Sequence, residues 1–133
     1  MTIASSSTRR PGTRTSSLRR GEIWWAAPQL TGGQRKRRPL LVVSHDSFNS
    51  NERYRKVMVV HLTSVHRPGG PFDWEVAVPR GAGGLRQGSV AKCGEVYTLF
   101  KEHLESLVGT APSEMMEQID RALALALGLP LPP

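Results

Sequence analysis

Cysteine is almost absent from this chain of 133 residues, where Cys93 stands alone. A lone cysteine closes no disulfide within the chain, which speaks against a stapled secreted domain and for a reducing cytosol. Acids are scarce too, eleven against eighteen Lys and Arg, and the formal net charge is +7. No apolar run approaches the roughly 18 residues that a membrane span requires. The arginines near the start precede no apolar stretch, so they do not read as a secretory signal. His45, His61, His66 and His103 are not in ligand spacing, and Cys93 has no Cys or His beside it, so metal chemistry is poorly supported and no cofactor is expected. Neither a Gly-x-Ser-x-Gly elbow nor a P-loop is present. The run Gly81–Gly84 lacks the strand and helix of a phosphate cradle and reads as a flexible loop.

What remains is one domain by length, with enough chain to bury roughly two thirds of its unfolded surface. Its charge is unevenly placed. Residues 1–20 hold five arginines and no acid, residues 35–92 hold eleven cations against four acids, and residues 93–133 hold two cations against six acids. Such an asymmetry suits one face to an anionic partner, and nucleic acid leads because phosphates supply most non-specific affinity. Solubility plus a basic tail is the bland alternative.

Residues 1–18 are rich in Ser, Thr, Arg, Pro and Gly, too poor in apolar groups to repay ordering, and are expected to be disordered. Residues 19–133 are expected to form the domain. Apolar, β-branched runs predict strands over 20–26, 39–44, 56–63, 72–79, 89–92 and 95–99. Lys56–Thr63 is apolar on both faces at its centre and should lie centrally. Residues 46–51 are turn-like, with room for one helical turn. Ser113 is expected to cap a helix whose stripe is Met116, Ile119, Leu123 and Leu127, with Ala122 and Ala126 on the same side. Gly128 should end it. Strand, loop and strand at short intervals suggest a compact, partly open barrel.

The most informative stretch is Arg20–Ser44. After a first strand containing Trp24 and Trp25, which should face opposite ways, come Arg35, Lys36, Arg37 and Arg38. Pro39 then opens the run Leu40-Leu41-Val42-Val43. A strand starting directly after such a cluster holds guanidinium groups at a fixed place, suited to phosphate.

The order Arg20-Gly21-Glu22-Ile23-Trp24-Trp25, Arg37-Arg38-Pro39-Leu40-Leu41-Val42-Val43-Ser44, Val59-Val60-His61-Leu62-Thr63-Ser64 and Gly88-Ser89-Val90-Ala91-Lys92-Cys93, closed by the helix ending Ile119–Leu129, resembles the MazF/PemK/Kid toxins of type II toxin–antitoxin systems. The resemblance implies an SH3-like, partly open β-barrel with a C-terminal helix, assembled as a homodimer. It implies a metal-independent endoribonuclease cutting single-stranded RNA. In the family reaction the 2′-OH attacks the adjacent phosphorus, leaving a 2′,3′-cyclic phosphate and a 5′-OH. A cognate antitoxin is the implied partner, and the cytoplasm the implied compartment.

Carried over residue by residue, the resemblance gives Arg38 phosphate activation and Thr63 a hydrogen bond to a phosphoryl oxygen. Strand alternation puts Val57, Val59, His61 and Thr63 on one face, so His61 is a candidate base or a packing histidine. Arg35, Lys36, Arg37, Ser64, His66, Arg67, Arg86 and Lys92 are expected along the RNA. Phe48, Tyr54 and Phe72 flank loops near basic residues and are candidates for reading bases. Two departures stand out. The loop before Arg38 holds Gly33 and Gln34 where some members carry an acid. Lys92, Cys93 and Gly94 occupy an Arg-Cys-Asp position, so the aspartate is lost and Glu95 follows one residue on. Glu95 is a candidate substitute, although strand parity turns it to the other face. Two other readings stay open: a toxin of this fold that binds a protein such as gyrase, and an inactive RNA-binding relative.

Overall fold

The computed structural model describes residues 18–27, 36–64 and 67–132. Its elements are β1 (Glu22–Ala26), β2 (Arg38–Val42), α1 (Asp46–Asn49), β3 (Lys56–Thr63), β4 (Val76–Val78), β5 (Ser89–Phe100), β6 (Ser106–Thr110) and α2 (Ser113–Leu127). The strands form one sheet in the order β4-β5-β3-β2-β1-β6. Every neighbouring pair is antiparallel, and the sheet curls into the expected half-barrel with a C-terminal helix. The expected disordered tail falls on residues 1–17, outside the described residues. Leu18, the last of that expected tail, is buried against Trp24 and its neighbours.

Alternation along the strands divides the core in two. Ile23, Leu41, Val60 and Leu62 face Met115, Ile119 and Ala122 of α2. Burying a side chain such as Ile119 stabilises the fold by roughly 2 kcal/mol. Trp24, Ala26, Leu40, Val42, Val57 and Val59 form the second cluster, on the opposite face, with Leu18 and Leu104. Trp24 and Trp25 do part: Trp24 is buried in the second cluster, while Trp25 is half-buried under the Arg37 guanidinium, 4.6 Å from its ring centre.

Several element expectations are corrected. The runs 89–92 and 95–99 are one strand, β5. Its pairing with β3 shifts register, Val60 opposite Val96 but Leu62 opposite Ala91. The expected strand over 72–79 shortens to β4 because Phe72–Glu75 turns, with Glu75 N–H donating to the Phe72 carbonyl at 2.9 Å. β6 was not expected; among the described residues it is an edge strand paired with β1 alone. Pro112, not Ser113, sits at the N-cap of α2. Ala126 and Leu127 leave the expected stripe and are exposed, Leu127 to 63%, while Met115 and Ala124 are buried with Ile119 and Ala122. Gly128 ends α2 as expected, in the left-handed conformation at φ 72°.

The run Gly81–Gly84 is not a loose loop. It turns tightly at Ala82–Gly84 and lies against β6. A Cβ on Gly109 would stand 2.2 Å from the Gly83 carbonyl oxygen, so the two backbones approach where no side chain fits. This contact and the buried Leu85 fix the position of the next residues, Arg86 and Gln87.

Candidate active site

Arg38 opens β2, and Pro39 follows it. Proline has no N–H to give a neighbouring strand, but β2 pairs with β3 only from Leu40, so the ladder loses nothing. Leu40 lies opposite His61. One step back along β2 is one step forward along β3, so Arg38 falls across from Thr63. Alternation then places Arg38, His61 and Thr63 on the same face, at the end of the second core cluster.

Arg38 and Thr63 line two adjoining clefts. The first, about 650 Å³, is bordered by Trp25, Lys36, Arg37, Ser64 and Arg86 among others. Its lining carries four cations and, among the described residues, no carboxylate. Arg37 is partly engaged there, its Nε donating to Glu105 Oε1 at 2.9 Å. The second cleft, about 350 Å³, adds His61, Arg67, Glu75, Lys92 and Glu95.

His61 is 5% exposed and stacks on Tyr97, ring centres 4.7 Å apart. Its Nδ1 lies 3.4 Å from Arg38 Nη1. A guanidinium only donates, so Nδ1 accepts and the ring proton sits on Nε2. Burial first, then the Arg38 charge, press the imidazole down to about 4, against a weaker upward pull from Glu95. The ring is therefore neutral near pH 7, with its one lone pair already taken. Arg38 Nε and His61 Nε2 are buried without a protein partner among the described residues.

Glu75 is the site residue that the sequence did not mark, one of two acids in the short run Phe72-Asp73-Trp74-Glu75. It is nearly buried, and burial alone would raise its pKa. Arg67, the Phe72 N–H and Lys92 hold it at about 2 instead. Arg67 Nη2 and Lys92 Nζ lie 2.7 and 3.0 Å from Glu75 Oε2. Two of the expected RNA cations are thus anchored by one buried carboxylate.

Glu95 corrects the parity argument. The register shift accommodates residues 92–95 opposite His61 and turns Glu95 into the second cleft. Its Oε2 is 3.9 Å from Lys92 Nζ, and the Tyr97 hydroxyl donates to Oε1 at 3.3 Å. Its side chain is 54% exposed, open to a ligand. Cys93, beside it in sequence, is buried; desolvation first and then Glu75 push its thiol up to about 12, far from a nucleophile's range.

Of the expected residues, Arg38, Thr63, His61 and Glu95 meet in the second cleft, with Arg67 and Lys92. Lys36, Arg37, Ser64 and Arg86 line the first. Arg35 and His66 lie outside the described residues. Phe48 and Tyr54 pair edge to face, and Phe72 stacks on Trp74. Among the described residues no group of three His, Cys, Asp or Glu is placed to hold a metal ion. No helix there is long and apolar enough to cross a membrane.

Residues 19–127 match the family model described as PemK-like, MazF-like toxin of type II toxin–antitoxin system. The chain is 32% identical over 118 residues to Endoribonuclease MazF6 of Mycobacterium tuberculosis, covering 84% of this chain and 98% of that one. A solved mycobacterial endoribonuclease in complex with its cognate antitoxin superposes with a TM-score of 0.70 at 27% identity, covering 87% of this chain and all of the other. A second mycobacterial endoribonuclease gives 0.68 at 26%, covering 86% and 94%. With four-fifths of its length matched and its strands in the same arrangement, the chain belongs to the PemK-like, MazF-like toxins of type II toxin–antitoxin systems.

Proposed function

We propose that this protein is an endoribonuclease toxin that cuts single-stranded RNA by attack of a 2′-OH on the adjacent phosphorus. The observation that carries this is the meeting of Arg38, Thr63 and Glu95 in the second cleft, with Arg38 and Thr63 shared with the first. The reaction needs the 2′-OH to lose a proton, donors on the phosphoryl oxygens as charge grows there, and a proton for the leaving 5′-oxygen. Arg38 supplies forked donors to the phosphoryl oxygens, and the Thr63 hydroxyl supplies another.

Glu95 is the base in this reading. The second cleft holds two carboxylates. Glu75 is held at about 2 by its cations and is too weak to take the proton. Glu95 is open. The neutral His61, with its lone pair facing Arg38, orients that guanidinium rather than receiving a proton. It is a positioning residue. The 5′-oxygen takes its proton from solvent or from the donors around Arg38. These groups close the proton balance without a metal ion.

The first cleft guides the RNA backbone, through Lys36, Arg86 and the part-engaged Arg37. Four cations and, among the described residues, no carboxylate favour a polyanion over the gyrase-type protein partner. Glu95 in the cleft supports an active enzyme over an inactive relative. Residues 19–133 form the toxin domain in this reading, acting in the cytoplasm as a homodimer. The relative held by its cognate antitoxin supports an antitoxin as partner here also.

The test is RNA cleavage by purified protein in excess EDTA, with mapping of the new ends. Fragments ending in 2′,3′-cyclic phosphate and 5′-OH are expected. Intact RNA, or 3′-OH ends, contradicts the proposal.

A further inference from the structure

Phe72 and Trp74 stand in solvent, 45% and 42% exposed, and stack on each other at 4.8 Å. The Arg67 guanidinium lies 4.0 Å over the Phe72 ring. Glu75 fixes that guanidinium, and the Phe72 N–H donates to the same carboxylate at 3.1 Å. Arg67, Gly70 and Pro71 line the second cleft, so the chain leads from the cleft straight into the aromatic pair.

Trp74 owes its seat to Gly94. A Cβ there would lie 2.7 Å from the indole Cδ1 and 3.1 Å from Nε1. The sequence departure at this position, a glycine in place of an acid, is thereby accounted for: it admits the indole, and Glu95 supplies the carboxylate one residue on.

We propose that Trp74, seated on Gly94 and backed by Phe72 and Arg67, is a stacking platform for an unpaired RNA base next to the phosphate held in the second cleft. The inference rests on the nuclease reading above. Single-stranded RNA alternates an anionic phosphate with a flat apolar base. The surface alternates in the same way, a cleft carrying Arg38, Arg67 and Lys92 beside a pair of exposed rings. Stacking on an aromatic ring is worth about 1–3 kcal/mol per base, and an adjacent arginine adds to it.

The test uses uncleavable 2′-O-methyl oligonucleotides of uridine and of mixed sequence, with affinity read by fluorescence anisotropy. Trp74→Ala is expected to weaken binding about fivefold or more, the lower end of the stacking range, while Trp74→Phe keeps most of it. Gly94→Ala should copy Trp74→Ala, because its methyl group displaces the indole. One abasic position should cost the wild type the same factor and cost Trp74→Ala nothing further. Thermal melts confirm that the variants fold. Equal affinity of wild type and Trp74→Ala, with RNA cleavage intact in both, overturns the platform and leaves the nuclease standing. A wild type that neither binds these oligonucleotides nor cuts RNA overturns both.

Discussion

Arg38 Nη1 donates to His61 Nδ1 across β2 and β3, at 3.4 Å. The contact orients the guanidinium and occupies the only lone pair of the imidazole, so it separates two roles that a histidine near an arginine otherwise combines. Replacing His61 with Asn keeps an acceptor for the guanidinium; replacing it with Ala does not. His61→Asn is expected to retain most of the turnover and His61→Ala to lose about tenfold, on the scale of one hydrogen bond to a charged group. Neither should shift the acidic limb of kcat/KM. An acidic limb that disappears in His61→Asn would make His61 the base.

Glu95 and Glu75 share a cleft and should fail differently. Glu95→Gln is expected to lower kcat by about 100-fold or more, the usual scale for removing a general base, with oligonucleotide affinity unchanged. Glu75→Gln should instead destabilise the protein by about 2 kcal/mol, since Arg67 and Lys92 lose their shared anchor. Single-turnover cleavage and urea melts on both variants separate the two. An active Glu95→Gln removes Glu95 from the chemistry.

Acid should weaken the fold in two successive windows. His61 titrates near 6.5 in an unfolded chain and at about 4 in the folded one. Between those values the unfolded chain binds more protons, so stability falls as pH drops from about 6.5 to 4, at up to ~1.4 kcal/mol per unit. Glu75 acts in the same direction lower down: its folded value of about 2 lies below the ordinary 4.5, so its contribution is present above 4.5 and is lost as pH falls towards 2. Urea melts across pH 4 to 7 should show a slope that flattens in His61→Asn. An unchanged slope would mean that His61 does not carry it.

Much of this arrangement was legible in the sequence. β1, β2 and β3 stand out as short apolar runs and α2 by an apolar stripe at helical spacing, and the cation run ending at Pro39 marked Arg38. The parts that were not legible share a physical cause. β6 is an edge strand of Ser106-Leu107-Val108-Gly109-Thr110, largely exposed and paired on one side only, so it shows no apolar alternation. The side on which Glu95 lies depends on a register shift between β3 and β5, which no local pattern encodes. Glu75 is one of two acids in a short run, nothing local separates it from Asp73, and its role comes from two cations that the fold brings to it.

The tight turn Ala82–Gly84 holds Arg86 in the first cleft only while Gly109 lacks a side chain. Gly109→Ala is expected to destabilise the fold by about 1–3 kcal/mol, as over-packing does, and to weaken oligonucleotide binding by displacing Arg86. Arg86→Ala should reproduce the weaker binding without the loss of stability. Melting curves and anisotropy on the two variants check this; unchanged stability in Gly109→Ala would contradict the close packing.

The central claim, that Arg38 stabilises the phosphoryl oxygens in RNA cleavage, is tested most directly by comparing single-turnover cleavage in EDTA by wild type and Arg38→Ala. The wild type should leave 2′,3′-cyclic phosphate and 5′-OH ends. Arg38→Ala should be slower by about 100-fold or more, the scale of losing one fixed donor to the developing charge, while its melting curve remains that of a folded protein. Cleavage at the wild-type rate by folded Arg38→Ala would contradict the claim.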